Sequence, residues 1–154
     1  MKASIITALL LVGLTLLSTI YGCFPKNDDP NVVYCDNAVE AYESARGHAA
    51  RIGGRAFSVA DTHSMEPLLY GGDFIVVDPK VSVTTVKPGR VITYYAQWQP
   101  ADAPPVTHRI TDRDGYGLLV AGDNVDGLDH PENRYRVTAD NYVGVVTTIY
   151  RVRI

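Results

Sequence analysis

Ser64, in "DTHSMEP", is the first residue of the chain whose surroundings suit covalent chemistry. Serine is a poor strand former, and Pro67 three residues on denies a ladder its hydrogen-bond donor. A strand-like run, a serine, a sharp turn and then Gly72-Asp73 leading into "FIVV" put a hydroxyl at the rim of a sheet. Such a hydroxyl suits a nucleophile and equally an ordinary turn. His108 follows in "VTHRIT", where Val106, His108 and Ile110 fall on one face of an alternating strand. A histidine there serves as a base or as a satisfied core residue. The third block, "VAGDNVDGLDHPEN", is an apolar strand running into a turn with Asp123, Asp126 and Asp129. Aspartates also populate turns because they cap their own backbone.

Together the three residue types fit acyl transfer. A serine hydroxyl is a weak nucleophile until a base takes its proton, and an imidazole, with a reference pKa of about 6.5, can take it. A carboxylate then fixes the imidazole's tautomer and stabilises the imidazolium. The carboxylate spacing is not that of an EF-hand loop, and no metal or cofactor is implied.

The elements that must position these groups are mostly strands. "NAVEAYESARGHAARIGG" reads as one amphipathic helix, with Asn37 as N-cap, Glu40 completing a capping box and Gly53-Gly54 as the stop. Ala38, Tyr42, Ala45, Ala49 and Ile52 share its expected buried face, and His48 on it reads as a surface or packing residue. From residue 56 the pattern changes to short β-type runs: "AFSVA", "DFIVVD", "RVITYYA", "VTHRIT", "GLLVAG", "RYRVTA" and "YVGVVTTIYRVRI". Their spacing is too close for helical crossovers, which predicts a largely antiparallel sheet in one domain.

The three blocks "SMEPLLYGGDFIVV", "VTHRIT" and "LLVAGDNVDGLD" resemble the signal peptidase I family of serine endopeptidases, within the wider superfamily that includes LexA-type repressors. The likeness is to the archaeal and endoplasmic-reticulum subgroup, in which a histidine stands where bacterial members carry a lysine base. It covers roughly residues 56–150, and three blocks in the family's order and spacing carry it. The resemblance implies a mainly β, coiled antiparallel sheet with one short N-terminal helix. It implies Ser64 as nucleophile, His108 as general base and then general acid, Asp129 as the acid of the triad and Asp123 as a second functional aspartate. The oxyanion hole would pair the Ser64 backbone N–H with the Thr62 hydroxyl, and small side chains would precede the scissile bond. The chain departs from the family at His63, where glycine is usual, and at "DGLD", which leaves Asp126 without a counterpart. His130 reads as a turn residue or a competing base.

Residues 1–25 form a separate segment: after Lys2 no charge appears until Lys26. The apolar stretch is long enough for a membrane helix, with the domain sent to the extracytoplasmic side. "IYGC" also resembles a lipoprotein cleavage box that would leave Cys23 acylated, and ordinary secretion is a third option. Residues 26–36 read as a polar linker and 37–154 as the peptidase-like domain. Cys23 and Cys35 would pair only if the compartment is oxidising and Cys23 is not acylated. Net charge is −3 with no basic cluster, which disfavours a nucleic-acid partner. The partners implied are a polypeptide substrate, such as a signal peptide or pre-protein, and membrane lipid around residues 3–25. The rival readings are a LexA-type self-cleaving regulator and a noncatalytic β-domain lipoprotein that binds peptides.

Overall fold

The computed structural model describes residues 29–124 and 136–154. The apolar leader, Cys23, Asp126, Asp129 and His130 lie outside the described residues. Among those described, no helix is long and apolar enough to cross a membrane.

Asn37 starts the helix as its type predicts. Its backbone is extended, and its side-chain oxygen accepts the Glu40 N–H at 3.0 Å, satisfying one of the donors that a helix start leaves unpaired. Glu40 reaches back as well, but to the Asp36 N–H at 2.8 Å, one residue earlier than a capping box uses. Helix α1 spans Ala38–Ile52 and ends at Gly53, whose left-handed φ of 67° suits a residue without Cβ. Its buried face is Ala41, Ala45 and Ala49, rotated from the expected one, with Ala38 and Tyr42 exposed. The alanine ridge lets the helix lie close against Val76 and Tyr150 of the sheet. Tyr42 instead covers the rim, its ring 5.6 Å from that of Phe74 and beneath the Arg46 guanidinium. His48 has the packing role expected of it, with Nδ1 3.1 Å from the Tyr150 hydroxyl.

Among the described residues, seven strands form one sheet: β1 (Asn31–Cys35), β2 (Arg55–Ser58), β3 (Phe74–Asp78), β4 (Val91–Tyr94), β5 (Val106–Asp114), β6 (Gly117–Ala121) and β7 (Tyr142–Val152). The strand order is β2-β3-β7-β4-β5-β6, and β1 lies beside β7. All pairings along that path are antiparallel, as the close strand spacing predicts. β1 is a departure, because it occupies part of the stretch read as a linker. It pairs with β7 in parallel, Asn31 opposite Thr148 and Cys35 opposite Val152. Its apolar run, Val32-Val33-Tyr34, is too short to stand out between polar neighbours, and only Cys35 of this strand is buried. The run at "RYRVTA" contributes, among the described residues, only a bridge from Val137 to Leu118.

β7 holds the sheet together by pairing with β3 on one side and with β4 and β1 on the other. It bends to do so, with register shifts opposite Val76/Val77 and Thr93/Tyr94. Gly144 sits at that bend, where any Cβ would run into the Asp78 carbonyl. Besides the layer beneath α1, apolar side chains collect in two further clusters on the sheet. One, around Ile92, Tyr94, Ile110 and Val145, lies beneath β4, β5 and β7. The other, around Met65, Leu69, Ile75 and Ile149, anchors the loop that carries Ser64.

Candidate active site

The loop between β2 and β3 holds Ser64 by its neighbours. Met65 and Leu69 are buried beneath it, so the Ser64 side chain just before Met65 is left at the rim. Asp73 closes the loop: it is 3% exposed and accepts the Tyr70 N–H at 2.9 Å. Arg151 on β7 meets the same carboxylate at 2.6 Å and 2.9 Å, donates to the Leu68 carbonyl at 2.8 Å and stacks over the Tyr70 ring. One guanidinium thus ties the loop to the central strand through three separate groups.

His108 lies on β5 where strand alternation predicts, buried on the face it shares with Ile110. The loop and the strand, 44 residues apart in sequence, bring Ser64 Oγ to 3.3 Å from His108 Nε2. His108 Nδ1 lies 3.2 Å from the hydroxyl of Tyr94, which is itself 1% exposed. A hydrogen on Nδ1 leaves Nε2 a lone pair for the serine. Thr62 Oγ1 stands 3.2 Å from Ser64 Oγ, so three of the predicted site residues come together within hydrogen-bond reach.

Asp123 is placed differently from a direct partner of the imidazole. It forms a fork with Arg109, at 2.7 Å to Nε and 2.7 Å to Nη2, on the face of β5 opposite His108. Arg109 also bonds the Gly89 carbonyl and Asp29, each at 2.7 Å. Those carboxylates, Asp123 first, hold the guanidinium pKa above its ordinary value. Asp123 therefore braces the strand that carries His108. Asp126, Asp129 and His130 lie outside the described residues.

Sequence reading passes over two residues that the geometry brings into the site. Asn124 donates its backbone N–H to the Ser64 carbonyl at 2.9 Å and its side-chain amide to the His63 carbonyl at 3.0 Å. Only its membership of the Gly-Asp-Asn block pointed to it. Tyr94 reads as one of ten tyrosines suited to a pleated sheet, and nothing local marks it as the residue beside His108. Asn124→Ala should lose about 1 kcal/mol of stability. It should also slow any acylation of Ser64 roughly tenfold, about the effect of a comparable loss of positioning. Denaturant melts read with labelling rates check both.

His63 has φ 59°, in the left-handed region that favours glycine. Its side chain points to Glu66, Nδ1 to Oε1 2.7 Å, with Asp61 3.6 Å from Nε2. The Glu66 bond, reinforced by the charges of Glu66 and Asp61, raises the His63 pKa. The pair therefore adds stability below the unfolded imidazole value and loses it as pH rises through the raised folded value. In an NMR titration His63 should hold its proton above the ordinary imidazole range, and Glu66→Gln should bring it back down.

Ser64 and His108 open onto a cleft of about 560 Å³. Val59, Ala60, Thr62, Trp98, Pro104 and Pro105 are among the residues that line it. β2 borders it and pairs among the described residues only with β3, so its second edge carries no strand. The chain matches no family model and no curated protein.

Proposed function

We propose that the protein is a membrane-attached serine endopeptidase of the signal peptidase I type, built on that family's coiled β-sheet, which cleaves exported or membrane-inserted polypeptides on the extracytoplasmic side. The observation that carries the reading is the Ser64–His108 contact of 3.3 Å at the wall of a cleft bordered by β2, whose second edge pairs with no strand among the described residues. An extended substrate adds to that edge by backbone hydrogen bonds, which presents its carbonyl to Ser64. His108 Nε2 takes the hydroxyl proton as Oγ attacks the carbonyl carbon, giving a tetrahedral oxyanion. The Thr62 hydroxyl and the Ser64 N–H are the donors for that oxyanion, and two such donors contribute several kcal/mol. The imidazolium then protonates the leaving amine, the C–N bond breaks, and an acyl-serine remains. Water, deprotonated by the same imidazole, releases the acid and restores the serine. Asp129 completes the triad, and Asp123, through Arg109, steadies the strand beneath His108.

The test is cleavage of precursor proteins by the full chain in lipid vesicles, read by N-terminal sequencing of the products. Cut sites that vanish with Ser64→Ala support the proposal. Products identical for wild type and Ser64→Ala contradict it.

A further inference from the structure

We infer that the cleft beside Ser64 takes a large apolar side chain of the polypeptide, of the leucine or phenylalanine kind, and that Trp98 selects it. The inference rests on the peptidase reading and departs from the small side chains that the family resemblance implies. The first support is size: about 560 Å³ lies in the range of pockets that enclose whole small molecules, where a methyl group needs only a shallow depression. The second is the floor. Met65, Leu69 and Ile75 line it and belong to the packed core, so its depth is fixed by side chains that cannot collapse into it. The third is Trp98 itself. Its side lies open, 40% exposed, while its ring meets Tyr94 at 6.4 Å edge to face, and Tyr94 touches His108. A side chain resting on Trp98 is thereby held next to the reacting pair. An alanine would leave the apolar part of this lining uncovered, and in apolar pockets a single methylene changes selectivity tenfold or more.

Trp98 is the chain's only tryptophan, so its emission reports occupancy of the cleft without any turnover. The full-length Ser64→Ala chain in phosphatidylcholine vesicles is titrated with octapeptides of alanine and threonine. Each carries one leucine or phenylalanine, moved through the positions in turn, and the unsubstituted parent is the control. A Trp98→Phe chain supplies the blank. The expected result is a saturable change in emission whose midpoint, for leucine or phenylalanine at one or two positions, lies at least tenfold below that of the parent. Equal midpoints for all peptides, or no saturable change with any, overturn the inference. Phosphonate labelling of Ser64 in the wild-type chain is read in parallel. Labelling without a leucine preference overturns the pocket assignment alone, and a leucine preference without labelling overturns the peptidase reading while the pocket assignment stands.

Discussion

His108→Ala should lower the rate of Ser64 acylation by about four to six orders of magnitude, and Ser64→Ala should lower turnover by as much. The double substitution should add little to either. A serine 3.3 Å from an imidazole acts with it as one unit, so once the base is gone the hydroxyl has no acceptor for its proton, and once the hydroxyl is gone the base has nothing to activate. Independent roles would multiply instead. Single-turnover kinetics on all three variants separate the cases: a double mutant that falls a further thousandfold contradicts a coupled pair. Tyr94→Phe is the informative companion. It keeps the buried ring and removes the hydroxyl 3.2 Å from Nδ1, so stability should fall by about 1–3 kcal/mol while acylation slows.

Asp73→Ala should give the largest loss of stability, about 3 kcal/mol, because it strips a partly buried guanidinium of its buried carboxylate and leaves the Tyr70 N–H unpaired. For a chain of this size that corresponds to a fall in Tm of roughly 6–12 °C. The Arg151 side chain is 17% exposed, so water recovers part of the penalty, and the lower end of the range for broken buried pairs applies. Asp73→Asn, which still accepts the Tyr70 N–H, should lose less. Arg46→Ala is the control: its pair with Glu43 is 3.8 Å long between side chains more than half exposed, and its loss should shift Tm by no more than a degree or two. Since Arg151 also bonds Leu68, Asp73→Ala should disturb the Ser64 loop below the global melting point, seen as faster amide exchange at residues 65–72.

Much of this fold follows from patterns that act locally. Asn37 with Glu40, and Gly53 after the last turn, mark the helix because caps are satisfied by near neighbours. Strand alternation puts His108 and Ile110 inward, for the pleat allows no other assignment once Ile110 enters the core. What stays illegible is set by distant partners. β1 is a strand because β7 offers it an edge, and no residue of "NVVYC" announces that edge. The helix face turns to Ala41 because the sheet beneath admits a close approach, which the helix's own periodicity cannot specify. In the site, Ser64, His108 and Thr62 were each legible as residue types in short runs, and the fold joins them. Asn124 and Tyr94 act through partners 61 and 14 residues away, so their roles emerge only with the tertiary structure.

Activation of Ser64 as a nucleophile by His108 is read out by a serine-reactive phosphonate. The full chain in vesicles is treated with the reagent, digested and mapped by mass spectrometry. A single adduct on the peptide that contains Ser64, absent from Ser64→Ala and suppressed in His108→Ala, is the predicted result. An unmodified Ser64 under conditions that label a control serine hydrolase, or labelling that persists undiminished in His108→Ala, would contradict it.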